Sequence, residues 1–198
     1  MTSEAPTATT NVSTLSCETK AAWATWLAKN HRASEGIWLR IAKKGADSTS
    51  VTYAEAIDVA LCYGWIDGQK QADNEHFWLQ RFTPRSAKSI WSKINRDKAT
   101  KLIASGQMKA AGLKEIERAK SDGRWDAAYD SAKTAEVPPD FQAALNRNAK
   151  AKAFFATLNS ANRYAVLFRI QTAKKIETRE SRIQKFVQML ENHEKLHP

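Results

Sequence analysis

In the segment TSVTYAEAIDVALCYGWIDGQK, residues 49–70, the apolar period changes at a single glycine. Before Gly64, the residues Ala56, Ile57, Ala60 and Leu61 recur at helical spacing. Thr52 with Glu55 three residues later has the form of a capping box, so the helix has a defined start. Gly64 fits the left-handed position that ends such a helix. After it, WIDGQKQA reads as a strand, and Gly68 suggests a bulge or a close backbone approach. A buried helix that runs directly into a strand restricts the chain to folds mixing the two elements.

The neighbouring segments agree. CETKAAWATWLAKNH places Trp23, Trp26 and Leu27 at helical spacing, and IWLRIAKKG alternates Ile37, Leu39 and Ile41 against Trp38, Arg40 and Ala42. EHFWLQRFT is a second strand partner for WIDGQKQA, and the DNE between them carries hairpin residues. From Ser86 the chain reads as helix, with Ile90, Trp91, Ile94, Ala99, Leu102 and Ile103 on one broad face and Gly106 as its stop. A shorter helix follows through LKEIERAKSDG. From Pro138 onward the pattern is helical throughout, with breaks expected near Asn159 and Thr178. The expected fold is α+β: a small antiparallel sheet of about three strands packed with helices, then an all-helical C-terminal subdomain. The boundaries are a flexible leader over residues 1–15, an α+β domain over 16–130, a linker over 131–137 and the helical subdomain over 138–198.

Composition narrows the compartment and the partners. Cys17 and Cys62 are the only two cysteines, which is no disulfide framework. The N-terminus lacks the basic and apolar regions of a secretory signal, and no run is apolar enough to span a bilayer. A cytoplasmic protein without membrane insertion is expected. The net charge is +10, and Arg81 to Lys109 holds eight basic residues against one acid, Asp97. That stretch and the basic tail make nucleic acid a possible partner, although scattered helix-surface lysines account for the same charge.

Most catalytic patterns are absent. There is no glycine-rich nucleotide loop and no Gly-x-Ser-x-Gly elbow, so no cofactor is expected. His193-Glu194-Lys195-Leu196-His197 matches HExxH, but the motif abuts Pro198 with no chain left for a third ligand, so no metal is expected. The remaining constellation is GWIDGQK with FWLQRFTPRSAKSIWSK. Pairing of the two strands should bring Asp67 and Lys70 near Gln80 and Arg81, with Thr83, Arg85 and Ser86 at the exit. A helix starting at Ser86 would add backbone N–H groups and a dipole that favour an anion. Trp65, Trp78 and Trp91 would supply flat apolar walls. The candidate ligand-binding set is Trp65, Asp67, Lys70, Arg81, Thr83, Arg85, Ser86 and Trp91. In the simplest alternative Asp67 pairs with Arg81 or Arg85, the tryptophans are core and Ser86 caps a helix.

YAEAIDVALCYGWIDGQ, QRFTPRSAKSIWSKIN and ASGQMKAAG, together with the C-terminal FQAALNRN…AKKIETRESRIQKFVQML, resemble the YdeI/OmpD-associated, or bacteriocin-protection, family over residues 20–192. The resemblance implies a role in tolerance of bacteriocins or cationic antimicrobial peptides, and brings no cofactor or catalytic residue with it. The leading expectation is a non-enzymatic cytoplasmic stress protein binding a small anionic ligand or acidic partner. In it Arg81 and Arg85 hold the anion, Thr83 and Ser86 donate hydrogen bonds, and Asp67 orients an arginine. The alternatives are a nucleic-acid binder and an enzyme using Asp67 as general acid or base.

Overall fold

A computed structural model describes residues 13–198. The expected leader falls outside the described residues up to position 12; from Thr14 the chain is already in the sheet. The described residues form two compact units. One runs to Ser89 and includes Asp97–Asp122; the other combines Ile90–Arg96 with Gly123–Pro198.

The first unit is a four-stranded sheet with helices, in the strand order β1-β2-β4-β3. Its strands are β1 (Thr14–Ser16), β2 (Ile37–Ala42), β3 (Trp65–Ala72) and β4 (Phe77–Pro84). Three of these match the strands read from the sequence. The short β1 is an addition to them, and because it runs parallel to β2 the sheet is mixed rather than wholly antiparallel. Helix α1 (Lys20–Asn30) is capped by Thr19, and α2 (Tyr53–Cys62) carries the full Thr52–Glu55 capping box. Alternation along β2 buries Ile37, Leu39 and Ile41, and the core is completed by Trp23, Leu27, Ile57, Leu61, Trp65 and Phe82. The hairpin turn between β3 and β4 is closed by Asn74, whose side-chain oxygen accepts from the backbone of His76 and Phe77.

The helix expected from Ser86 begins later, as α3 (Lys93–Ala104). The Ser86 backbone N–H donates to the Ser89 hydroxyl and the Lys88 N–H donates to the Ser86 hydroxyl. Such side-chain bonds offer the backbone an alternative to the helical ladder. Trp91, Ala99 and Leu102 are buried as the pattern required, whereas Ile90, Ile94 and Ile103 are exposed. Helix α4 (Ala110–Ser121) packs in the first unit against the end of α2, where a Cβ at Gly112 would lie 2.6 Å from the Cys62 and Leu61 carbonyl oxygens.

The second unit holds α5 (Pro139–Asn146), α6 (Ala149–Thr157), α7 (Ser160–Gln171) and α8 (Ile176–Glu191). Asn148 and Asn159 cap α6 and α7 through their side chains. The expected break at Thr178 lies before Ile176 instead. Phe141, Leu145, Phe155, Val166, Leu167, Ile170, Phe186 and Leu190 form the core, as helical spacing indicated. Arg179 binds Asp140 bidentately at 2.6 and 2.9 Å. These bonds hold the Asp140 carboxyl below the usual carboxylate range. A carboxyl lowered in the folded state stabilises above its unfolded pKa and loses that contribution as pH falls through the folded value. Asp140→Asn should therefore cost stability at pH 7, by no more than about 1 kcal/mol because the pair is partly exposed. The difference from wild type in urea unfolding should shrink below about pH 4.

Candidate functional site

The β3–β4 register determines which of the expected residues meet. Asp67 lies opposite Phe82 and Lys70 opposite Gln80, with a bulge between them. Gly68 and Gln69 therefore share the single residue Arg81 as their partner, which is the two-against-one count of a bulge. The bulge puts both Asp67 and Lys70 on the helix-bearing face, with Phe82 and Gln80. Arg81 and Thr83 point to the other face, so Arg81 cannot pair with Asp67. The buried Gln80 amide holds the bulge in place by donating to the carbonyls of Gly68, Gln69 and Arg81 at 3.0, 3.1 and 3.3 Å.

Each half of the expected site has other company. Asp67, half-buried, accepts a 2.6 Å hydrogen bond from the Tyr53 hydroxyl at the start of α2. The Tyr53 ring stands 5.6 Å from that of Trp78, and the Lys70 ammonium lies 5.0 Å from the Trp78 ring. On the opposite face, Arg81 lies 5.9 Å from the Trp38 ring, and among the described residues its Nη1 has no hydrogen-bond partner. Burial pushes its guanidinium below its ordinary value. Ser86 is exposed in the serine turn. Trp91 belongs to the second unit, where its ring meets Trp125 edge-on at 4.9 Å.

Trp65 and Arg85 do converge. Trp65 begins β3 at 1% exposure, its indole N–H donating to the His31 carbonyl at 3.2 Å and its ring meeting Trp26 at 87°. Arg85 follows β4, 5% exposed, with its backbone N–H donating to the Gly64 carbonyl at 2.9 Å. The two line a pocket of about 380 Å³ together with Arg32, Lys114, Glu115 and the first turn of α4 at Ala110 and Ala111. The N-cap of α4, Lys109, makes no side-chain cap bond, and its backbone N–H donates to the Cys62 carbonyl at 3.3 Å. Glu115, the acid on the lining, is held by Arg118, which also donates to the Arg85 carbonyl at 3.3 Å. The pocket thus carries the exposed Arg32 and Lys114, the buried Arg85 and an acid held by Arg118, an arrangement that favours a negative ligand. Sequence spacing gives no sign of Arg32, Lys114 or α4 here, because they join Trp65 only through the fold.

The other motifs resolve structurally. Helix α8 ends at Glu191 and His193 adopts a φ of 57°, so HExxH lies off the helix and its imidazoles share no face. His193 packs 4.8 Å from Phe154, and the His197 backbone exchanges bonds with Asn162. Burial pushes the thiols of Cys17 and Cys62 up, which disfavours the thiolate at both. In the basic stretch, Arg85 is buried and Lys98 is paired with Asp58 at 2.6 Å.

Residues 15–115 match the family described as a domain of unknown function, DUF8412. The chain belongs to the DUF8412 family. Residues 134–193 of this DUF8412 protein match a second family, described as "Bacteriocin-protection, YdeI or OmpD-Associated". The C-terminal motif blocks that resemble YdeI proteins fall within that second match, and the N-terminal ones within the DUF8412 region or overlapping it. No curated protein matches the chain. No solved structure matches it either. Among the described residues of this DUF8412 protein, no helix is long and apolar enough to cross a membrane.

Proposed function

We propose that this DUF8412 protein is a non-enzymatic cytoplasmic stress or antimicrobial-resistance protein that binds a small anionic ligand or an acidic partner segment. The site is the pocket between Trp65, Arg85, Arg32 and Lys114. The observation that carries this reading is the convergence of three cationic side chains and the α4 N-terminus on one concavity of about 380 Å³. The family name of residues 134–193 supports the resistance role, and two buried free thiols fit a reducing compartment. Asp67 is engaged by Tyr53 outside this pocket, so the proposal gives it no catalytic part.

Arg32 and Lys114 are exposed, so Arg32→Ala with Lys114→Ala removes two charges without opening the core. A charge-assisted hydrogen bond contributes about 1.5–3 kcal/mol, so the double variant should bind inorganic phosphate or citrate at least about tenfold more weakly. Thermal-shift titration of both proteins measures this. Equal midpoint shifts in the two would remove the pocket from the account.

A further inference from the structure

A second concavity lies toward the opposite end of the β3–β4 hairpin, about 20 Å along β4 from the first. It encloses about 510 Å³ and is lined by Trp78 and Tyr53, by Lys43 and Lys44, and by Ser48 and Thr49. Its walls are set by backbone bonds. The Lys43 N–H donates to the His76 carbonyl at 2.8 Å, and a turn through Gly45, at φ +82°, brings the Ala46 N–H to the Lys43 carbonyl. Across the loop, the Ser50 hydroxyl accepts from the Ala42 N–H at 2.8 Å and donates to the Val51 carbonyl at 3.0 Å. Tyr53 is held by its bond to Asp67, so one aromatic wall is anchored rather than free to collapse.

The chemistry of the lining is divided. One side is aromatic: the Trp78 and Tyr53 rings are both partly exposed, with Tyr53 at 41%. The lining also offers two ammonium groups and two hydroxyls, and among the described residues none of these four side chains has a hydrogen-bond or ion-pair partner. Lys70, which does not line the cavity, holds its ammonium over the Trp78 ring at 5.0 Å. Asp47, in the same loop, does not line the cavity. A flat π-face next to clustered cations and hydroxyl donors matches a ligand with an aromatic ring and a phosphate on one frame. We propose that this cavity binds a nucleotide unit, with the base against Trp78 and the phosphate between Lys43 and Lys44. Base–aromatic stacking tolerates any base, so the site selects the nucleotide class rather than one sequence.

Calorimetric titration with adenosine monophosphate, adenosine, inorganic phosphate and a short single-stranded oligonucleotide tests this. The monophosphate should bind at least about tenfold more tightly than adenosine or phosphate alone, since each lacks one half of the recognised frame. Lys43→Ala with Lys44→Ala, both exposed, should weaken the monophosphate at least about tenfold, and Trp78→Leu should do so without affecting phosphate. Repeated in the Arg32→Ala, Lys114→Ala background, which removes the first anion site, the titrations should keep the same preference for the monophosphate and the same dependence on Lys43 and Lys44, which separates this site from the first. Oligonucleotide binding tighter than the monophosphate would identify a strand as the source, and weaker binding a free nucleotide. A monophosphate that binds no better than phosphate, or binds the double lysine variant as well as wild type, would overturn the proposal. Should Trp78→Leu fail to fold, the lysine variant decides alone.

Discussion

Trp23→Ala is expected to remove about 3–5 kcal/mol of stability from the first unit. The Trp23 side chain is fully buried between two layers. It stacks on Trp26 at 5.4 Å and 14°, meets Phe82 of β4 at 5.5 Å, and donates its indole N–H to the Ala56 carbonyl of α2 at 3.1 Å. One side chain thus ties α1, the sheet and α2 together, and truncation leaves a cavity that these elements cannot all close. Trp23→Phe keeps most of the ring volume and loses the hydrogen bond, which contributes about 0.5–1.5 kcal/mol, so its loss should be clearly smaller. Urea unfolding followed by circular dichroism compares the two. A Trp23→Ala midpoint within error of wild type would mean that this residue is not at the centre of the core.

Gly64→Ala should be nearly as costly, at about 2–5 kcal/mol, from two sources. Gly64 has a φ of +73°, where a side chain costs about 1–2 kcal/mol. A Cβ there would also lie 2.9 Å from the Ala111 carbonyl oxygen and from Glu115 Cγ, pressing α4 away from the turn. Forcing backbone apart in a packed site adds about 1–3 kcal/mol. Gly45→Ala separates the two effects, because Gly45 has a φ of +82° and a methyl group there would meet nothing within 4 Å. It should cost only the backbone part. Equal losses at the two glycines would show that α4 does not rest on the Gly64 turn, and would take the floor out of the anion pocket.

These residues also show how far the sequence could be read. The α2–Gly64–β3 passage was legible because the capping box, the glycine and the change of period are all local. Strand β1 was not, since three residues in a Thr/Ser-rich stretch become a strand only by pairing with the edge of β2. Apolar spacing places the start of α3 too early because the hydroxyls of Ser89 and Ser86 take the backbone N–H groups of Ser86 and Lys88, a competition that spacing does not record. The candidate site suffered most from a bulge. In a sheet of period two, a one-residue change of register moves a side chain to the opposite face. That displacement separates Asp67 from Arg81 and gives Asp67 to Tyr53 instead. Trp65 and Arg85 are legible together because both flank the open end of the hairpin. Arg32 and Lys114 come from a helix end and a helix surface distant in sequence, with no spacing that links them.

The central claim is that an anion binds where Arg32, Arg85, Lys114 and the α4 N-terminus converge. Titration of inorganic phosphate into isotopically labelled protein, followed by amide nuclear magnetic resonance, locates binding residue by residue. The account predicts saturable shifts concentrated on the amides of Gly64, Arg85, Ala110 and Ala111, and their loss in the Arg32→Ala, Lys114→Ala double variant. Shifts that leave these four amides unmoved at saturating phosphate would contradict it.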